Sequence, residues 1–157
     1  MKGLYEMRIL FVCTGNTCRS PMAAVLMRRE LDKRGREDII IDSAGLAAFG
    51  EPASPNAVEA IRELGEGYSE LLQNHKSSMV TREMLDQSDV IAVMSNSHAR
   101  GVIALGADPG RVHILSADSS QGIEDPFGGD IEVYRRTRDQ LEKAVKNLAD
   151  VILKNTE

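Results

Sequence analysis

The sequence predicts a single α/β domain with a doubly wound parallel sheet. Arg8–Cys13 and Asp89–Met94 are short apolar runs without alternation, which is typical of strands buried on both faces. These runs alternate with stretches that carry helix-start and helix-stop residues, and that alternation predicts a parallel sheet covered by helices. The 157 residues suit one domain, and no repeat or linker divides them. We therefore expect one domain over 1–157, with residues 1–6 as a loose N-terminal extension.

Proline, glycine and capping residues set the other boundaries. Ser20 and Pro21 form a suitable N-cap and first residue for a helix that Gly35 ends. The next helix begins in the same way at Ser54. In chain order, these features predict helices from Ser20, from Ser54 to Leu64, from Thr81 to Asp86, from Ser97 to Leu105 and from Ile131, and strands at 39–41 and 111–115, with irregular chain at 74–80 and 116–130.

Composition and charge argue against several classes of protein. Lys and Arg number 19 against 24 Asp and Glu, so the net charge is −5, whereas nucleic-acid binding needs a basic face. No apolar run approaches the roughly 20 residues of a membrane span, and the first residues lack a signal-peptide core. The two cysteines are too few for a disulfide scaffold. We expect a reduced, cytoplasmic protein with no nucleic-acid or membrane partner.

The candidate chemistry lies in residues 13–20, between the first strand and the first helix. Amides at a helix start, together with the helix dipole, bind anions. Gly15 and Asn16 both tolerate positive φ, which turns successive amides inward, and Arg19 adds a planar cation suited to two phosphate oxygens. The pattern predicts a phosphate site made by Thr14, Gly15, Asn16, Thr17, Cys18 and Arg19.

Cys13 stands at the end of the strand, at the base of this cradle. The positive field there favours the thiolate, which makes Cys13 the candidate nucleophile, and Ser20 is placed to donate a hydrogen bond to its sulfur. A lone buried cysteine is more often inert. A cysteine and an arginine separated by five residues on a strand–loop–helix are far more specific, so we expect Cys13 and Arg19 to be catalytic.

The sequence indicates no metal or other cofactor. Two cysteines with no histidine close by in the sequence lack the usual ligand set for zinc. The three histidines, His75, His98 and His113, are scattered, so we expect structural or surface roles for them.

The stretch Val12–Met22 (VCTGNTCRSPM) resembles the phosphate-binding loop of the low-molecular-weight protein tyrosine phosphatase family. The resemblance extends over nearly the whole chain, including the later Asp125-Pro126. It implies a four-stranded parallel sheet flanked by helices, with flavodoxin-like winding and the cysteine loop after the first strand. It also implies that phosphorylated protein side chains are hydrolysed through a cysteinyl-phosphate, with inorganic phosphate as the product.

The same resemblance identifies Asp125 as the general acid. On its own, an Asp-Pro pair indicates a turn. The matching aspartate of the family protonates the leaving group and later activates the water that hydrolyses the cysteinyl-phosphate, so we expect Asp125 to do the same. Asp118 and Asp130 are weaker candidates, and Asp130 looks like the N-cap of the last helix.

Two departures from the tyrosine-specific members bear on the substrate. Those enzymes usually carry a bulky aliphatic residue after the nucleophile and consecutive aromatic residues after Asp-Pro. Here Thr14 follows Cys13 and Phe127 is followed by two glycines, a combination that resembles the bacterial protein arginine phosphatases of the same family. We expect phosphoarginine as the substrate, with Thr14 and Phe127 as selectivity residues. Phosphotyrosine, and a purely packing role for Thr14, stay open as alternatives.

Cys18 is the second cysteine of the loop. The resemblance implies that it forms a reversible disulfide with Cys13 under oxidation, which protects the nucleophile from irreversible oxidation. The alternative is that Cys18 is a small residue packed beneath the loop.

Three other functions differ from phosphatase activity in what they require. Arsenate reductases on this scaffold relay a disulfide through downstream cysteines, and this chain has none after Cys18. A cysteine phosphocarrier would not require Asp125 opposite the nucleophile. The third function is a non-enzymatic anion-binding module. The phosphocarrier and the anion-binding module both stay open as alternatives to the phosphatase.

Overall fold

Four parallel strands form the centre of the fold. The computed structural model describes residues 7–116 and 122–154, so the expected N-terminal extension, residues 1–6, lies outside the described residues. The four strands confirm the predicted α/β class, the parallel sheet and its flavodoxin-like winding. They are β1 (Arg8–Cys13), β2 (Ile40–Gly45), β3 (Val90–Val93) and β4 (Val112–Ile114), in the order β2-β1-β3-β4.

Within the described residues, six α-helices surround this sheet. They are α1 (Arg19–Lys33), α2 (Pro55–Arg62), α3 (Glu66–Gln73), α4 (Arg82–Gln87), α5 (Asn96–Ala104) and α6 (Ile131–Lys154). Thr81 caps α4 as predicted, because its hydroxyl accepts a hydrogen bond from the Met84 amide at 3.1 Å. None of these helices is both long enough and apolar enough to span a bilayer.

β1 is buried on both faces, which explains its unbroken apolar sequence. Ile9, Phe11 and Cys13 belong to the core that β1 shares with α1 and α6. Leu10 and Val12 belong to the opposite core, which contains residues of α4 and α5. Burial of each large apolar side chain contributes about 1.5–3 kcal/mol. The two cores therefore fix β1, and with it the position of Cys13, from both sides.

The first helix begins earlier than predicted. Cys18 occupies its N-cap, and Ser20, the predicted N-cap, is the second residue of α1. The Ser20 hydroxyl lies 2.9 Å from Cys13 Sγ and accepts a hydrogen bond from Asn16 Nδ2 at 2.7 Å, so it serves the loop and not the helix amides. No side chain in the described part of the chain caps α1. The positive end of the helix is therefore open towards the loop.

Two other elements differ from the prediction. β2 extends to Gly45 because it pairs with β1 in register as far as Cys13. α3 was not predicted, since Gly65 and Gly67 interrupt the helical pattern. Tertiary packing stabilises α3 although its local helix propensity is low, because Leu72 is completely buried in the core beside α1 and α2.

The topology brings three strand ends to the cysteine loop. β1 lies between β2 and β3, and in register Cys13 is opposite Gly45 while Val12 is opposite Val93. The chain winds to one side of β1 to form β2 and to the other side to form β3. Such a topological switch point is where parallel sheets bind ligands. The loop after Cys13 therefore lies among the segments that follow β2 and β3.

Candidate active site

The loop between β1 and α1 encloses a pocket of about 260 Å³. This pocket brings the predicted nucleophile and phosphate loop together with the predicted acid, Asp125, which is more than a hundred residues away in sequence. Its lining consists of Cys13, Thr14, Gly15, Asn16, Thr17, Cys18, Arg19, Glu51, Asp125 and Phe127.

The sulfur of Cys13 lies at the base of the pocket between two polar groups. The Asn16 amide donates a hydrogen bond to Cys13 Sγ at 3.3 Å, and the Ser20 hydroxyl lies 2.9 Å from the same sulfur. Ser20 Oγ accepts from Asn16 Nδ2, and the acceptors within reach of its own proton are the sulfur at 2.9 Å and the Ala44 carbonyl oxygen at 3.5 Å. The sulfur is therefore held by the Asn16 amide on one side and by the Ser20 hydroxyl on the other.

Asn16 holds the shape of the loop. It is completely buried and, among the described residues, it is the one non-glycine with positive φ, at 57°. Gly15, which was predicted to share that conformation, does not adopt it. The Asn16 side chain donates to Ser20 Oγ at 2.7 Å and Ser43 Oγ at 3.0 Å, and accepts from the Ser78 amide at 2.9 Å. These bonds tie the loop to β2 and to the segment before α4.

β2 approaches the loop so closely that its last residue has no room for a side chain. A Cβ on Gly45 would lie 2.6 Å from the Thr14 carbonyl oxygen. Beyond Gly45, the amides of Leu46 and Ala47 donate to the carbonyls of Cys13 and Thr14 at 3.0 and 2.8 Å. The loop is therefore fixed from outside by backbone as well as from within by Asn16.

Arg19 and Asp125 lie at the mouth of the pocket. The Arg19 side chain is almost completely buried; it donates to the Ile123 carbonyl at 3.2 Å, and its other terminal nitrogen lies 3.7 Å from Asp125 Oδ2. The Asp125 side chain is exposed, and its Oδ1 accepts from the Phe127 amide at 3.1 Å. Asp125 thus forms the turn that its Asp-Pro sequence indicates and also faces Arg19. Phe127, 76% exposed, stands on the rim.

A histidine that the sequence analysis did not connect with the site contacts the loop. His98 Nε2 lies 2.8 Å from Thr14 Oγ1, and His98 Nδ1 lies 2.9 Å from Ser95 Oγ. Burial, and to a smaller extent the positive charge of Arg19, lower the pKa of His98 to about 4 against the opposing effect of Asp125. The sequence does contain a sign of this contact. Ser95 caps the helix that follows β3, and His98 comes three residues after that serine. That strand is the neighbour of β1.

His75 also reaches the loop, since its Nε2 lies 2.7 Å from the Asn16 carbonyl oxygen. Two of the three histidines therefore contact the loop, which agrees with the structural or surface roles expected for them, although the sequence analysis did not place them at this loop. Asp130 occupies its predicted N-cap, with Oδ1 accepting from the Val133 amide at 3.1 Å. Asp118 lies outside the described residues.

The Cys18 side chain lies beneath the loop. Its sulfur is 3.0 Å from Ser54 Oγ and 3.3 Å from Tyr134 Oη, and the residue belongs to the core beside α1 and α6. Burial and the hydrogen bond with Cys18 raise the pKa of Tyr134 to about 12. Both cysteines are free thiols. Over residues 7–116 and 122–154, no group of three or more His, Cys, Asp or Glu side chains is arranged to hold a metal ion.

Comparison with known proteins identifies the family. The sequence matches the family model described as low molecular weight phosphotyrosine protein phosphatase over residues 8–157. The chain belongs to this family. It is accordingly a phosphoprotein phosphatase, as the resemblance of its cysteine loop predicted.

Individual members of the family are similar to this chain in sequence and in structure. A protein-arginine-phosphatase from Bacillus subtilis is 36% identical, in an alignment covering 95% of this chain and 99% of the relative. The low molecular weight protein-tyrosine-phosphatase PtpB from Staphylococcus haemolyticus is 37% identical, over 86% of this chain and 92% of the relative. A solved YwlE arginine phosphatase mutant with a phosphorylated active-site serine superposes with a TM-score of 0.83, at 35% identity, covering 94% of this chain and 97% of that one.

The burial of His98 predicts a loss of stability in acid. An unfolded histidine has a pKa of about 6.5, so below that pH the unfolded chain takes up a proton that folded His98 resists. The free energy of unfolding is therefore unaffected by this group above pH 6.5. It falls as the pH drops from 6.5 towards 4, by at most about 3 kcal/mol. Urea unfolding at several pH values should show a shallower pH slope for His98→Gln than for the wild type.

His113 provides the matched control for this measurement, because it lies on β4 away from the loop. The His113→Gln variant should keep the wild-type slope. An unchanged slope in His98→Gln would show that His98 is not the residue that links folding to protonation.

Proposed function

We propose that this chain is a protein-arginine phosphatase that hydrolyses phosphoarginine side chains of proteins through a cysteinyl-phosphate. The observation that carries this choice is the polar wall of the pocket. The residue after the nucleophile is Thr14, and its hydroxyl lies 2.8 Å from buried His98 Nε2. A guanidinium carries only hydrogen-bond donors, so a fixed hydroxyl oxygen gives it a partner that an aliphatic side chain lacks.

In the first step, Cys13 Sγ attacks the phosphorus and the phosphorus–nitrogen bond breaks as the sulfur–phosphorus bond forms. The phosphoryl oxygens bind the amides of the loop and the open N-terminus of α1. Arg19 provides two further donors, and its bond to the Ile123 carbonyl keeps the guanidinium at the mouth of the pocket. Both features support stabilisation of the negative charge in the transition state.

Asp125 supplies the proton that the leaving guanidine nitrogen needs. It lines the same pocket as Cys13, and its backbone turn directs the carboxyl group towards Arg19. In the second step Asp125 takes a proton from water, which attacks the phosphorus of the cysteinyl-phosphate. The sulfur–phosphorus bond then breaks, and thiolate and inorganic phosphate are released.

Phosphotyrosine is the second candidate substrate. An exposed aromatic ring at the rim, Phe127, suits a phenyl group, and the relative from Staphylococcus haemolyticus is named a tyrosine phosphatase. Phe127 is followed by two glycines, so a single ring stands where two would enclose a phenyl group more fully. The same ring packs against the flat face of a guanidinium, which favours phosphoarginine.

The proposal places the enzyme in the cytoplasm, where Cys13 stays reduced between catalytic cycles. It also includes the reversible disulfide between Cys13 and Cys18. The two sulfurs belong to one loop and to one core, and within the described residues Cys18 Sγ has the hydroxyls of Thr17, Ser54 and Tyr134 as hydrogen-bond partners. A sulfenic acid formed on Cys13 is attacked by the Cys18 thiol; water leaves and the disulfide forms.

The choice of substrate is tested by Thr14→Ile. Loss of the hydroxyl should lower kcat/KM on a phosphoarginine peptide by about tenfold or more, and an aliphatic wall should preserve or raise it on a phosphotyrosine peptide. Thr14→Ser is the matched control, because it keeps the hydroxyl and should keep the preference. If the ratio of the two kcat/KM values is the same in Thr14→Ile as in the wild type, Thr14 does not select the substrate.

The role of Asp125 is tested by comparing leaving groups. Asp125→Asn keeps an oxygen that accepts from the Phe127 amide but has no acidic proton. Both Asp125→Asn and Asp125→Ala should lose about 10²–10⁴-fold in kcat on phosphoarginine, and much less on p-nitrophenyl phosphate, which departs without protonation. Near-normal activity of Asp125→Asn alongside a defective Asp125→Ala would mean that Asp125 only forms the turn.

The disulfide is tested by peroxide treatment followed by a thiol reductant. The wild type should recover its activity and contain the Cys13–Cys18 disulfide by mass spectrometry, whereas Cys18→Ser should be over-oxidised irreversibly at Cys13. Serine retains the hydrogen bonds to Ser54 and Tyr134, so the comparison isolates the sulfur. Equal recovery of the two proteins would leave Cys18 with a packing role only.

A further inference from the structure

Part of the outer edge of β2 is open. β2 is the first strand in the order β2-β1-β3-β4, so one of its edges pairs with β1 and the other faces away from the sheet. The Ile40 amide donates to the Met7 carbonyl at 2.9 Å, which directs residue 40, and by alternation residue 42, towards β1. The N–H and C=O groups of Ile41 and Ser43 therefore point outward. Among the residues that the structure describes, none forms a hydrogen bond with these outward groups.

The chain covers this edge on either side of the open stretch. Before it, Arg28 donates to the Ile39 carbonyl at 3.0 Å. After it, the segment that follows α3 pairs with Gly45 through a parallel bridge to Met79. The edge of β2 thus already accepts extended backbone where the chain supplies it. Residues 41–43 are left over, a length that about three residues of an added strand would cover.

A cavity of about 440 Å³ adjoins the open edge. Its volume lies in the range of ligand-binding cavities. β2, α1 and α3 enclose it, and its apolar walls include Val25 of α1, Ile41 of β2 and Leu71 of α3. Leu71 is 52% exposed although it is apolar. Side chains of an added strand that lie on the same face of the sheet as Ile41 would therefore enter an apolar cavity.

Asp42 determines which kind of strand fits this edge. Because side chains alternate along β2, Asp42 lies on the opposite face from Ile41, and it is exposed. Its carboxylate forms no ion pair with any residue in 7–116 or 122–154. A second copy of this chain that used both Ile41 and Ser43 about a two-fold axis would set two Asp42 carboxylates directly opposite each other, which is destabilising. A lysine or arginine at that position forms a favourable pair instead.

We propose that the open edge of β2 is a docking site for an extended segment of another protein with the pattern apolar–basic–apolar. The segment pairs with the outward backbone groups of Ile41 and Ser43, its basic residue lies opposite Asp42, and the two apolar neighbours enter the cavity. This cavity and the pocket at Cys13 share no lining residue, so docking is measured separately from catalysis. The site is independent of which phosphorylated side chain the enzyme hydrolyses.

Docking is tested with the peptide Ac-Thr-Val-Lys-Val-Thr-NH2. Titrated to millimolar concentrations into ¹⁵N-labelled enzyme, it should shift the amide resonances of Ile41 and Ser43 most strongly. The Leu71 amide, in the far wall of the cavity, should shift as well. Resonances that do not change in β2, or changes confined to residues 13–19, would overturn the proposal.

The charge pattern is tested by exchanging the two partners. The wild type should bind Ac-Thr-Val-Glu-Val-Thr-NH2 about threefold or more weakly than the lysine peptide, and Asp42→Lys should show the reverse preference. Asp139→Lys is the matched control, because it changes the net charge equally on α6 and should keep the wild-type preference. Activity on p-nitrophenyl phosphate verifies that both variants are folded. The same preference in the wild type and in Asp42→Lys would overturn the role of Asp42.

Strand pairing is tested by N-methylation of the lysine peptide. A strand presents alternate amides to each neighbour, so methylation of both valine amides and methylation of the lysine amide should differ, with one abolishing binding and the other tolerated. Equal effects would overturn the pairing. Sedimentation of the wild type alone should show a monomer. A dimer that perturbs the Ile41 and Ser43 amides would assign the edge to a second copy of the chain and overturn the proposal.

Discussion

The active site depends on the buried side chain of Asn16. Left-handed backbone at a non-glycine residue costs about 1–3 kcal/mol, least for asparagine, and Asn16 adopts it at φ 57°. That conformation directs the Asn16 amide at the sulfur of Cys13. The three hydrogen bonds of the Asn16 side chain contribute about 1 kcal/mol each, which is enough to offset the strain. The sulfur of Cys13, the proposed nucleophile, is thus oriented by the backbone of Asn16.

The sheet supplies the other half of this constraint. β1 is fixed by two apolar cores, and β2 runs beside it in register to Gly45, where the backbones are too close for a side chain. This close approach leaves the loop few other backbone conformations. The amides after Gly45 restrict it further, because they donate hydrogen bonds to the loop carbonyls. The proposed phosphate site is therefore largely preformed, and a preformed site needs little reorganisation when charge develops on a phosphoryl group.

Sequence reasoning succeeded where the determining interactions are local, and failed where they are distant. β1 and the cysteine loop follow from an unbroken apolar run and from residues 15–19, so both were predicted from the residues themselves. Ser20 was wrong as the predicted N-cap, because α1 begins one residue before it, whereas its oxygen does lie 2.9 Å from the sulfur of Cys13. The contact between His98 and Thr14 spans 84 positions, and only the β1–β3 pairing makes it possible. Asp125 was predicted as the general acid through family resemblance alone, since a turn explains its sequence equally well.

The side chains proposed to perform the chemistry and those that form the pocket wall are held by different elements of the fold. The sulfur of Cys13 is within hydrogen-bond distance of Asn16 in the loop and of Ser20 in α1. The Thr14 side chain, in the pocket wall, is hydrogen-bonded instead to His98 of α5. Because these supports lie on different elements, a change at α5 reaches the wall without passing through the residues that orient the sulfur. One scaffold can therefore accept a different phosphorylated side chain while the thiolate, the phosphate cradle and the acid keep their geometry.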